Sequence, residues 1–154
     1  MNFKRRSIIL LATVCYVGKI PFAPGTFGSI PGLCIWFFLA KIDPLLALFL
    51  IFFLIFSSIA IAGQAEIMLN KKDPAEIVID ETVGLVIALF GLPVNVLSAI
   101  GGFFIFRVLD IFKPFPIRFI EKKLPGGAGI VMDDVVAGIC CNLLLRTIYR
   151  LAGQ

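Results

Sequence analysis

The sequence predicts an all-α integral membrane bundle of about six helices, three to five of them membrane-embedded, forming a single domain over residues 1–154. Three observations carry this expectation. Hydrophobic residues make up 60% of the chain and charged residues 16%, with a mean hydropathy of +1.04, far from an ordinary soluble domain. The 22 residues from Pro44 to Ala65 carry no charge, and about 20 apolar residues suffice to cross a bilayer core. Finally, prolines and glycines cut the rest of the chain into uncharged runs of helical length.

Lys4, Arg5 and Arg6 precede a short apolar run, Ser7 to Gly18, that imitates a signal peptide. No small-x-small cleavage site follows, so retention as an amphipathic or interfacial first helix is expected. Gly18 to Gly32 holds three prolines and four glycines and reads as a loop. Leu33 to Ala40 is apolar and expected to be helical; only if this helix began as early as Thr26 would it reach about 15 residues, barely enough to cross a membrane. Lys41-Ile42-Asp43 marks a polar turn, and Pro44 suits the first turn of the long helix, expected to end near Gly63. A polar loop, Gln64 to Asp73, leads to a helix from Pro74 to about Phe90 with Asp73 as its cap. Gly91-Leu92-Pro93 breaks that helix, and Asn95 caps the next, which runs to about Lys113, before Pro114 and Pro116. A short amphipathic piece, Ile117 to Lys123, and a glycine-rich turn precede a last helix from about Ile130 to Leu151.

Alternating the helices places eleven basic residues on the side of the N-terminus and three, Lys41, Arg146 and Arg150, on the other. By the positive-inside bias the first side is expected to be cytoplasmic. Two carboxylate doublets, Asp80-Glu81 and Asp133-Asp134, fall on that same side.

These doublets are the strongest chemical signal. Ionisable groups at the edge of hydrocarbon are expensive, and crowded like charges repel unless a cation lies between them. The chain has no histidine, so an all-oxygen site for a hard cation such as Mg²⁺ is expected at Asp80, Glu81, Asp133 and Asp134. Absence of histidine also excludes a phosphohistidine intermediate. Arg107, Asp110 and Lys113 recur at three-residue spacing along one stripe of a helix. Arg107 and Lys113 suit phosphate oxygens, with Asp110 either orienting them or joining the metal. Lys19, Thr26 and Ser29, in a glycine-rich turn beside a helix start, suit an anion cradle, although no Walker A spacing is present. Cys140 to Arg146 fits a C-x5-R pattern, but its apolar helical interior does not suit a thiolate phosphatase loop. The four cysteines read as packing residues without metal spacing.

Four blocks, taken in order, resemble the phosphatidylglycerophosphatase A family. They are Gly18-Lys19 with Ala23 to Ser29, Ile77 to Gly84, Arg107 to Pro116, and Gly126-Gly127 with Gly129 to Gly138. The resemblance implies a Mg²⁺-dependent lipid phosphatase of the bacterial inner membrane, multi-pass, with its active site facing the cytoplasm. Its anionic phospholipid substrate would be phosphatidylglycerophosphate and its product phosphatidylglycerol. Asp80, Glu81, Asp133 and Asp134 would hold Mg²⁺; Lys19, Arg107 and Lys113, with Thr26 and Ser29, would hold the phosphate; Asp110 would be a further ligand, a base or a nucleophile. No nucleic-acid partner is expected. The rival reading, a small transporter subunit with an ion path of carboxylates, calls for acids at mid-membrane, whereas these acids lie near one face beside basic residues.

Overall fold

The computed structural model describes residues 3–153, and among them it contains seven α-helices and no strand. The helices are α1 (Phe3–Ala12), α2 (Pro24–Leu39), α3 (Pro44–Leu69), α4 (Ile79–Leu89), α5 (Val96–Phe112), α6 (Ile117–Lys123) and α7 (Gly126–Leu151), with a 3₁₀ turn at Val17–Lys19. α3 and α7, at 26 residues each, are long and apolar enough to cross a membrane. α4, at 11 residues, is too short to do so at 1.5 Å per residue.

α7 is the spine, packing against α3, α4, α5 and α6, while α2 lies on α4 and α1 on α3. The α4–α7 pair separates two apolar cores. One gathers Trp36, Leu85, Leu89, Phe106, Cys141 and Leu145 from α2, α4, α5 and α7. The other gathers Ile8, Ala12, Ala62, Val83, Val131 and Val135 from α1, α3, α4 and α7. α3 turns most of its apolar surface outward, including Phe49, Phe52, Phe53 and Phe56; a row of exposed phenylalanines suits lipid and not water.

Glycine sets how closely the spine packs. A Cβ on Gly84 would lie 2.5 Å from Phe106 and 2.9 Å from the Asp134 carbonyl, and one on Gly138 would strike the Gly84 carbonyl. Gly84→Ala is therefore expected to lower stability by about 2 kcal/mol through overpacking. Thermal unfolding of the detergent-solubilised protein measures this, and an unchanged midpoint would refute the close α4–α7 contact.

Five expectations are corrected, the first being the last helix, which starts at Gly126 and not near Ile130, so that the glycines expected as a turn lie inside α7. α2 begins at Pro24 and carries Pro31 inside it, so much of the expected Gly18–Gly32 loop is helical. Pro24 occupies the first turn, where its missing N–H costs nothing. The glycines face α4: a Cβ on Gly28 would strike Val78, and one on Gly32 would crowd the Thr82 carbonyl. Thr82 reinforces this contact by donating to the Gly28 carbonyl at 2.5 Å. The long helix α3 passes the expected end at Gly63 and reaches Leu69, because Ala65 buries against α1, α4 and α7. The expected helix at Pro74 instead starts at Ile79. Val78 donates its N–H to Ala12 of α1 at 3.0 Å, which holds residues 74–78 out of the helix. Asp73 is not its cap; it has φ 45°, and its N–H is taken by Glu66 at 3.1 Å. At the other end of the bundle, Asn142 of α7 donates to the Ile87, Ala88 and Phe90 carbonyls and closes the C-terminus of α4.

Candidate active site

The late start of α4 puts Asp80 and Glu81 in its first turn, where the helix dipole favours negative charge. α7 brings Asp134 to face them. One carboxylate oxygen from each of Asp80, Glu81 and Asp134 lies within 4.8 Å of the other two. Asp80, Asp133 and Asp134 are 8%, 4% and 3% exposed, so water does little to separate their charges. The Glu81 charge acts on Asp80, and the Asp110 and Glu81 charges act on Asp134. Burial, then the neighbouring Glu81 and Asp134 charges, push the Asp80 carboxyl well above the usual range.

A fit to a hard cation is testable from the polar atoms left over. Asp80 Oδ1, Glu81 Oε2, Asp133 Oδ1 and Asp134 Oδ2 are buried without a hydrogen-bond partner. Buried polar atoms are normally satisfied. Of eight such side-chain atoms left without a partner among the described residues, three are Trp36 Nε1, Ser58 Oγ and Glu76 Oε2, one is Arg107 Nε beside the doublets, and these four belong to the two doublets. Oxygen-only donors of this kind suit Mg²⁺.

Four basic and acidic groups from α5 and beyond, Arg107, Asp110, Lys113 and Glu121, complete the wall. Arg107 donates to Asp110 Oδ2 at 2.6 Å and lies 3.9 Å from Glu81 Oε1. Gly25, in the first turn of α2, makes room for this group: a Cβ there would strike Glu81 and come within 3.1 Å of both terminal guanidinium nitrogens. α2 thus meets the site with an N-terminus that has neither a side-chain cap nor an acid in its first turn, a favourable surface for an anion.

Lys113 departs from the expected helical stripe. α5 ends at Phe112, and Lys113 follows in the left-handed region at φ 45°. That turn carries its ammonium to Asp133 Oδ2 at 2.6 Å and Glu121 Oε1 at 2.8 Å. Partial burial works against the Lys113 charge, but these hydrogen bonds outweigh it and hold its pKa above the ordinary lysine value. Asp133 consequently divides its two oxygens, one for Lys113 and one unpartnered.

The remaining expected phosphate ligands are placed differently. Lys19 is exposed, with its ammonium 4.8 Å from the centre of the Tyr16 ring. Ser29 is fully buried and donates to the Gly25 carbonyl at 2.8 Å. Thr26 sits in the first turn of α2, one residue beyond Gly25, and its N–H goes to Ala23. Glu121 is a site residue that sequence reading missed. Its only sequence signal is an acid eight positions after Lys113, and the turn between them hides the pairing.

Residues 10–149 match the model of the family described as Phosphatidylglycerophosphatase A. The chain is 35% identical to Phosphatidylglycerophosphatase A of Escherichia coli over 131 residues, 84% of this chain and 76% of the relative. It is 36% identical to Phosphatidylglycerophosphatase A of Haemophilus influenzae over 92% of this chain and 88% of that one. It is also 36% identical to a putative phosphatidylinositol-3-phosphatase of Bacteroides thetaiotaomicron, over 94% of this chain and 95% of the relative. No solved structure matches the chain.

Proposed function

The chain belongs to the phosphatidylglycerophosphatase A family, and from that premise we propose that it removes the terminal phosphate of phosphatidylglycerophosphate, with Mg²⁺, at the cytoplasmic face of a bacterial inner membrane. As a phosphoric monoester hydrolase, it needs to bind a dianionic phosphate, present water to it, and release a lipid alcohol and inorganic phosphate. The observation that carries the metal reading is the convergence of Asp80, Glu81 and Asp134 with unpartnered oxygens. These three residues would hold the ion; Asp133, expected as a fourth ligand, lies outside their cluster and is bonded to Lys113 instead. Bound there, Mg²⁺ would supply charge for the phosphate and a more acidic water.

The chain's own groups account for the rest. Phosphoryl transfer relies on positioning and electrostatic stabilisation. Arg107, steered by Asp110, presents its guanidinium to phosphate oxygens between Glu81 and the N-terminus of α2. Lys113 holds Asp133 in place and adds positive charge on the α6 side. Water adds to phosphorus, the bond from phosphorus to the lipid oxygen breaks, and that oxygen leaves with a proton as the alcohol. Lys72, Lys122 and Lys123 gather at the end of the bundle that carries Asp133, and this supports the cytoplasmic side.

Phosphatidylglycerophosphate and phosphatidylinositol 3-phosphate share one arrangement, a terminal phosphomonoester beyond a phosphodiester. Phosphate release by the purified protein from both lipids and from phosphatidic acid, with and without Mg²⁺, tests the reading. The expected result is fastest release from phosphatidylglycerophosphate, loss of turnover with chelator and recovery on adding Mg²⁺. Release from none of the lipids would favour the transport reading, and trapping of a phosphoaspartate would overturn direct attack by water.

A further inference from the structure

We propose that the cleft beside Asp133 is a subsite for the phosphodiester of the lipid, so that the enzyme selects substrates bearing a diester as well as a terminal monoester. This rests on the lipid phosphatase reading above and assigns the part of the substrate that the carboxylates and Arg107 do not hold. The cleft encloses about 710 Å³ between the end of α3, the loop after it, α6 and the first turn of α7, a size typical of ligand pockets. Glu121 and Asp133 form part of its wall, and both are bonded to Lys113. The cleft therefore adjoins the phosphate-handling groups.

Charge decides what the cleft accepts. Of its four acids, Glu121 and Asp133 are bonded to Lys113, and Glu66 accepts from the Asp73 N–H at 3.1 Å. The exposed Asp73 carboxylate pairs with no described residue and offsets one lysine. Its cations, Lys72, Lys122 and Lys123, are exposed and enter no ion pair with the described residues. Lys123 lies 5.3 Å from the centre of the Phe119 ring, which leaves Lys72 and Lys122 the two uncommitted ammonium groups. Pro125, Gly126 and Gly129 of the α7 start also line the cleft, and that start carries no side-chain cap and no acid in its first turn. A singly charged diester, held by flexible lysines, suits this edge. The doubly charged monoester suits the Arg107 end. Phosphatidic acid has no diester and leaves the cleft unfilled.

Full-length protein in mixed micelles tests this through a ratio. Wild type is expected to favour phosphatidylglycerophosphate over phosphatidic acid in kcat/KM. In the Lys72→Gln/Lys122→Gln double variant that preference should fall about tenfold or more, mainly through KM, and Lys122→Arg should keep it. An unchanged ratio, or equal slowing on both lipids, overturns the proposal. A binding arm is independent of turnover. Native mass spectrometry of the solubilised protein should find phosphatidylglycerol retained over diacylglycerol by wild type and not by the double variant. Equal retention by the two proteins, or equal loss of phosphatidic acid, overturns the subsite. Binding that follows this pattern without hydrolysis of any lipid would keep the subsite and sink the phosphatase reading.

Discussion

Asp134→Asn is expected to lower phosphate release by at least about a thousandfold while leaving the protein folded and inserted. The substitution keeps the shape of the side chain, and the tight contact with Gly84 involves the Asp134 backbone carbonyl, so packing of α7 on α4 survives. What disappears is one charge of a three-carboxylate cluster and an oxygen that has no other partner. Asn supplies one neutral oxygen in its place, and affinity for a hard divalent cation falls with ligand charge. Turnover measured at limiting Mg²⁺, beside circular dichroism and thermal unfolding, separates the two effects. Wild-type turnover in this variant would remove Asp134 from the site. Inactivity accompanied by unfolding would assign it to the core instead.

Arg107→Lys is expected to cost about a hundredfold in kcat/KM, scarcely less than Arg107→Ala. The guanidinium serves two partners at once, bonding Asp110 at 2.6 Å while lying 3.9 Å from Glu81. Its ends fill the space left open by Gly25. An ammonium is a single point charge, so a lysine drawn to Asp110 leaves the phosphate unmet. Separate kcat and KM values on phosphatidylglycerophosphate check this. Near-wild-type activity of the lysine variant would mean that the fork geometry is irrelevant and only positive charge matters.

Most of the helices were legible because their punctuation is local. Asn95 caps α5 by accepting from Ser98 at 2.7 Å, Pro44 opens α3, and Ile117–Lys123 is helical as the amphipathic pattern implies. The errors came where distant contacts overrode local preference. Pro74 looked like a helix start, but Ala12 captures the Val78 N–H and delays the helix to Ile79. Proline and glycine between residues 18 and 32 looked like a loop, but Gly28 and Gly32 are small because α4 presses against them.

The candidate site was legible as residue types and not as pairings. Both doublets, Arg107, Asp110 and Lys113 stood out as charges costly to keep near hydrocarbon. Their partners did not. Asp110 pairs with Arg107, Asp134 joins Asp80 and Glu81, and Asp133 turns to Lys113, so the four doublet carboxylates are unequal. Ser29 matched a cradle by composition, but its hydroxyl is used inside its own helix.

The sequence by itself determined that this is a helical membrane protein with an acidic and basic cluster on one face, because hydropathy, charge cost and proline placement are properties of the chain at short range. Only the tertiary structure decided which carboxylates converge, that Lys113 leaves its helix to hold Asp133 and Glu121, and that a cleft opens beside them. Those outcomes depend on the separation and rotation of α4, α5, α6 and α7, which are fixed by glycine contacts between residues far apart in the chain.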